Sequence, residues 1–178
     1  MISYGMFTTF LYLCSMEKKI LIIPDVHGRR FWRDAIESDD YDKVIFLGDY
    51  LDPYPDEGIG PFTAQEGLER ILLYHDEHPD KVVLLLGNHD LHYLDEHYRD
   101  LSMSCRYNEE YSDYYSQLFK EGGKFKLAHE EIIGHTQQFC GLPFITPHFA
   151  CLDTRSAYVL DAQGINVVVP TDCYSESR

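Results

Sequence analysis

Basic residues are scarce in this chain: 15 lysines and arginines stand against 30 aspartates and glutamates among 178 residues, a formal net charge of −15. That balance excludes nucleic acid held by broad phosphate neutralisation, which needs a dense lysine and arginine face. A small anionic substrate stays compatible, because bound cations set the field at a site as much as net charge does. Cysteine is also thin: Cys14, Cys105, Cys140, Cys151 and Cys173 form an odd set with no CxxC spacing. Neither a thiolate zinc knuckle nor a disulfide framework is indicated, and reduced thiols in a cytoplasmic protein are the expectation. Long apolar runs are lacking too. The stretch from Met6 to Cys14 is too short to span a bilayer, and it has no basic n-region or small-residue cleavage site, so no membrane is expected as a partner. Because Met16-Glu17-Lys18-Lys19 leads straight into the first apolar run, residues 1–15 are expected to form a poorly ordered extension and 16–178 a single domain.

What is present suffices for one substantial core, with 44% hydrophobic and 14% aromatic residues. Lys19 to Pro24, Lys43 to Leu47 and Lys81 to Leu86 are continuous apolar runs of strand length. Continuous rather than alternating hydrophobicity predicts strands covered on both faces, as in a parallel sheet within an α/β sandwich. Between them, Arg29 to Glu37 and Thr63 to His78 carry helical spacing, giving a βαβαβ order with right-handed crossovers. Asp52 to Pro61, rich in proline and glycine, predicts a loop over the strand ends. Asn108 to Lys120 predicts a helix stopped by Gly122-Gly123. After Gly134 the pattern turns to short strands, Phe149 to Leu152, Ala157 to Leu160 and Ile165 to Val169, with Asp161-Ala162-Gln163-Gly164 as a hairpin turn.

Polar signatures close the three apolar runs: Asp25-Val26-His27-Gly28, Gly48-Asp49-Tyr50-Leu51-Asp52 and Gly87-Asn88-His89-Asp90. Gly134-His135-Thr136 follows a further apolar pair. Loops at the carboxyl ends of parallel strands converge on one crevice. Asp25 and His27, two residues apart, can point the same way and grip one metal. Asp49 follows a glycine that permits a tight turn, and its two oxygens can each hold a different cation. Asn88 offers a neutral carbonyl oxygen, leaving His89 for acid–base work.

The series DVHG, GDYLD, GNHD and GHT resembles the calcineurin-like metallophosphoesterase family, well over Lys19 to Asp90 and more loosely over Ile132 to Val169. The resemblance implies an α/β/β/α sandwich, here with part of the second sheet shortened. It implies two divalent metal ions (Mn, Fe, Zn or Ni) with Asp25 and His27 on one, Asp49 as bridge, and Asn88 and His135 on the other. His89 would be the general acid, oriented by Asp52. The implied reaction is hydrolysis of a small phosphomonoester or phosphodiester by a metal-bound hydroxide.

Two departures qualify the match. The family carries a further histidine ligand between GNHD and GHT, yet Gly134 follows Asp90 by only 44 residues and no Ser-His-Ala-Gly-like strand end is visible. His129, after a strand-like Lys124 to Ala128, is a surrogate candidate. Glu130-Glu131 leaves no room for a parallel crossover before Ile132, since such a connection needs about a dozen residues. The joint reads as the place of an absent segment, natural or from an altered gene model, so the second metal site is expected to be weak. The alternative function is therefore a catalytically impaired metal- or phosphate-binding remnant. Secondly, Pro53 stands where the related protein phosphatases place a phosphate-holding arginine; Arg29, Arg30 and Arg155 are the candidates to hold an anion instead. His92 and His97 are expected to be solvated or to support the ligands, Tyr107, Tyr111, Tyr114 and Tyr115 to form a packed helix face, and Glu37 to Asp40 with Asp56-Glu57 to be solvated surface.

Overall fold

The computed structural model describes residues 19–95, 99, 106–126, 144–146, 149–151, 157–161 and 164–169. Eight strands and four α-helices follow in chain order among these residues: β1 (Ile20–Ile23), α1 (Phe31–Glu37), β2 (Lys43–Phe46), α2 (Pro61–Glu77), β3 (Val82–Leu85), α3 (Asn88–Leu91), α4 (Ser112–Lys120), β4 (Phe125–Lys126), β5 (Phe144–Thr146), β6 (Phe149–Cys151), β7 (Ala157–Asp161) and β8 (Gly164–Val169). The predicted domain boundary at residue 15 lies outside the described residues.

Six strands form one sheet in the order β4-β3-β2-β1-β7-β8. β1 to β4 run parallel, with Leu21 beside Val44, Ile45 beside Val83 and Leu84 beside Phe125. β7 pairs antiparallel to β1, and β8 antiparallel to β7. A short antiparallel pair, β5 with β6, stands apart from this sheet. The fold is thus a mixed α/β architecture with a central sheet flanked by helices, as the apolar runs predict. Asp161 and Gly164 are in register at the β7–β8 turn, which agrees with the predicted hairpin. The strand β5 carries no signal that the sequence patterning detected.

All four residues of β1 are buried. Leu21 and Ile23 pack into the larger core with Phe31, Trp32, Leu68 and Ile71 of α1 and α2, while Ile20 and Ile22 pack on the opposite face with Leu47 and Tyr158. In β2 and β3 only alternate residues, Val44, Phe46, Val82 and Leu84, are buried; the others are half-buried. Full two-sided cover, expected for all three runs, therefore belongs to the central strand alone. α2 begins two residues before its predicted start because Pro61 suits the first helical position, where a missing N–H costs nothing. The predicted helix from Asn108 divides into a 3₁₀ turn (Glu109–Tyr111) and α4. Tyr115 is fully buried, Tyr107 and Tyr111 pack against the core, and Tyr114 is 41% exposed, so the tyrosines do form a packed face with one outward member.

Candidate active site

Gly48 and Gly87 let two of the signature loops touch. A Cβ on Gly48, whose φ is +111°, would lie 2.1 Å from the Gly87 amide nitrogen, and one on Gly87 would lie 2.1 Å from Asp49 Oδ1. The loops are also stitched by reciprocal bonds. Asp90 Oδ2 accepts from the amides of Asp49 (2.7 Å) and Gly87 (2.9 Å), and Oδ1 from that of Tyr50 (3.0 Å). In return the His89 amide donates to Asp49 Oδ1 at 2.8 Å. The first signature joins through His27 N to Asp49 O (2.7 Å) and Gly28 N to Tyr50 O (2.9 Å). Asp90 is fully buried; burial and the neighbouring Asp49 push its carboxyl well above the ordinary range, opposed by the three amides.

Among the described residues, three other than glycine adopt the left-handed conformation, and all three are candidates from the sequence: His27 (φ +45°), Asp49 (φ +51°) and Asp52 (φ +56°). Each such residue costs about 1–3 kcal/mol, at the low end for Asp and His, which tolerate the region. Burial of one Leu or Ile side chain, worth about 1.5–3 kcal/mol, offsets one of them. The core beneath the loops can hold the strain in place.

The strain aims the side chains. His27 Nδ1 is 2.7 Å from the Leu51 carbonyl oxygen, which can only accept, so the proton sits on Nδ1 and the Nε2 lone pair is free. That lone pair faces Asp49 Oδ2 at 3.8 Å. Burial holds the His27 imidazole well below its ordinary value; His89, Arg106 and Arg29 add to the effect, against the Leu51 carbonyl. The His27 lone pair and a carboxylate oxygen of Asp49 thus face each other at a separation that a divalent ion with bonds of about 2.0–2.2 Å can bridge. One ligating atom each from His27, Asp49 and His89 lies within 4.8 Å of the others, all buried. Imidazole fixed by a carbonyl beside a carboxylate is a donor set that fits such an ion. The Asp25 carboxyl is buried but belongs to no such grouping among the described residues. Asn88 Nδ2 is buried without a hydrogen-bond partner; exchanging amide N and O would present a carbonyl oxygen there.

A second cluster surrounds Asp52. His89 Nδ1 is 3.0 Å and His92 Nε2 2.8 Å from Asp52 Oδ2, and the Tyr93 hydroxyl donates to Oδ1 at 2.5 Å. Burial pushes the Asp52 carboxyl up, but the contacts with His89, His92 and Tyr93 outweigh it and hold the carboxyl below its ordinary range. Burial raises the Tyr93 phenol far above its usual value, helped by the Asp52 charge, so it stays a donor. Arg106 Nη2 lies 2.8 Å from His89 Nε2, and the guanidinium sits 3.7 Å above the Tyr54 ring.

Several expectations change here. Arg29 is buried and occupied, not poised for an anion: its Nε and Nη2 hold Glu57 and its Nη1 donates to the Asp25 carbonyl at 3.1 Å. Glu57 is accordingly an ion-pair partner, not solvated surface. Of the two roles expected for His92, solvated or supporting, its full burial against Asp52 agrees with the supporting one. Arg30 is exposed. His97, His129, His135 and Arg155 lie outside the described residues. Sequence reasoning missed Asp90, Tyr93, Tyr54 and Arg106. Asp90 had a signal in its place within the third signature; the others had none.

No curated protein matches the chain. Residues 18–160 match the family model for calcineurin-like phosphoesterases. With that match over most of its length, and paired strand-end loops to agree with it, the chain belongs to the calcineurin-like phosphoesterase family.

Proposed function

We propose that this protein hydrolyses a small phosphate ester, monoester or diester, with two divalent metal ions. The observation that carries the reading is the pair of facing acceptors, His27 Nε2 and Asp49 Oδ2, 3.8 Å apart in a buried site. Asp25 and His27 would hold one ion, Asn88 and His135 the other, and Asp49 both, with His129 as a surrogate for the second. When bound, the ions supply Lewis-acid charge to the phosphoryl oxygens and lower the pKa of the attacking water.

The rest of the work falls to His89 and Asp52. With Asp52 holding Nδ1–H, a proton on Nε2 is aimed outward, where it can pass to the leaving oxygen as the ester bond breaks. Asp52 stays ionised and stabilises the imidazolium that precedes this transfer, as the carboxylate of a catalytic triad does. Arg106 covers Nε2 and must turn aside for the leaving oxygen to reach it.

The test is metal content per chain, paired with hydrolysis of a generic aryl phosphate in Mn²⁺ before and after chelation. Turnover that is lost on chelation and restored by metal supports the reading. Turnover insensitive to chelation removes it. Bound metal without turnover would favour the impaired remnant, and two tightly held ions would dismiss the idea of a second site short of a ligand.

A further inference from the structure

A cavity of about 460 Å³ opens beside Asp52, within the size range of small-ligand sites. One wall is apolar and built by the second signature's exit loop: Pro53, Pro55, Ile59 and Pro61. Tyr107 and Tyr115 also line the cavity. Neither tyrosine is free to move: Tyr107 stacks on Tyr93, with Arg99 4.1 Å from its ring centroid, and Tyr115 stacks on Tyr111. The cavity is therefore preformed.

Its charge is uneven. Glu109 and Glu110, both exposed, line it together with Asp52, and Arg106 is the one cation among the described lining residues. Arg106 is also placed between this cavity and the pair of facing acceptors. Its guanidinium covers the Tyr54 ring, whose edge meets the His27 ring with centroids 5.2 Å apart, while its Nη2 touches His89. Arg106 Nη1 is buried with no hydrogen-bond partner. A buried donor in that condition is costly unless a ligand completes it, and a guanidinium fork suits a phosphoryl group.

We propose that this cavity is the leaving-group subsite, shaped for the uncharged aromatic alcohol of a phosphate ester, and that Arg106 grips the phosphoryl group between it and His89. The proposal rests on the phosphoesterase reading above. Carboxylates at Glu109 and Glu110 repel an anionic leaving group, such as a second phosphate or an acidic peptide, while the proline and tyrosine walls accept a flat apolar one. Turning toward the phosphoryl oxygens gives Nη1 its missing partner and frees His89 Nε2 in one motion.

Binding of probes that cannot be hydrolysed tests this on the full chain in Mn²⁺ by calorimetry. Phenylphosphonate should bind at least about tenfold tighter than inorganic phosphate, and phosphonoacetate no tighter than phosphate. Arg106→Gln should weaken phosphate and phenylphosphonate alike by about tenfold or more, preserving their ratio. The double change Glu109→Gln with Glu110→Gln, at two exposed positions, should narrow the gap between phosphonoacetate and phenylphosphonate at least about threefold. Equal binding of phosphate and phenylphosphonate, or a gap untouched by the double change, overturns the proposal. The two readings fail distinguishably: turnover of aryl phosphates without a phenyl preference removes the subsite alone, whereas a phenyl preference without turnover removes the phosphoesterase reading and with it the leaving-group role, leaving only an aryl-phosphonate-binding cavity.

Discussion

Arg106 Nη2 stands 2.8 Å from His89 Nε2, and because a guanidinium can only donate, His89 is the acceptor there and carries its proton on Nδ1 toward Asp52. The same logic gives His27 the same tautomer, its Nδ1–H donating to the Leu51 carbonyl and its Nε2 lone pair turned toward Asp49. Two neighbouring imidazoles, with ring centroids 4.9 Å apart, are thus held for different tasks by the partners of their Nδ1 atoms.

Asp49→Asn should abolish turnover of an aryl phosphate in Mn²⁺, by at least about a thousandfold, because an amide cannot supply two anionic oxygens to cations. Metal content per chain should fall with it. Retained hydrolysis would remove the two-metal assignment.

Asp52→Asn should lower kcat by about 10²–10⁴-fold with little change in metal content, since it removes the carboxylate that orients and charges His89. Tyr93→Phe is the milder neighbour. It deletes one donor to Asp52 and should cost about 1–2 kcal/mol of stability in urea denaturation. If Asp52→Asn retained full kcat, His89 would not be acting as the acid.

Gly48→Ala should destabilise the fold by at least about 3 kcal/mol. Its Cβ would enter the backbone of Gly87 at 2.1 Å, a contact that no rotamer change relieves. The melting temperature of the purified variant reads this out, and an unchanged value would mean that the two loops can part.

Acid should weaken the metal-free protein through His27. Its imidazole titrates below the ordinary value of 6.5 in the fold, so as pH falls from there the unfolded chain takes up a proton that the folded one refuses. Stability is complete above about pH 6.5 and is lost as pH drops through the folded value, with a slope of up to about 1.4 kcal/mol per pH unit from this group. Asp52, held below its ordinary range, acts in the same sense at lower pH. Melts in chelator from pH 7.5 to 5 check the direction, and His27→Gln should flatten the upper part of the slope.

The parallel core was legible because its signals are local and redundant. The run Ile20–Ile23 buries every residue, and each signature follows its strand directly, so the strand ends carried the chemistry with them. β5 was not legible, since three residues offer too little periodicity to stand out. Arg29 was misjudged for a different reason. With Pro53 in the place of the family's phosphate-holding arginine, Arg29 was a candidate to hold an anion, but Glu57, 28 residues away, claims it.

By itself the amino-acid sequence determined the family, the central strands and the grouping of Asp25, His27, Asp49, Asp52, Asn88 and His89 at one sheet end, because hydrophobic runs and glycine-bounded turns are short-range properties. Only the tertiary structure decided which way those groups point. The left-handed backbone of His27, Asp49 and Asp52, the Leu51 carbonyl on His27 and Arg106 on His89 are set by contacts between segments far apart in the chain. A ring's tautomer and a carboxylate's partner follow from such contacts, and no local pattern encodes them.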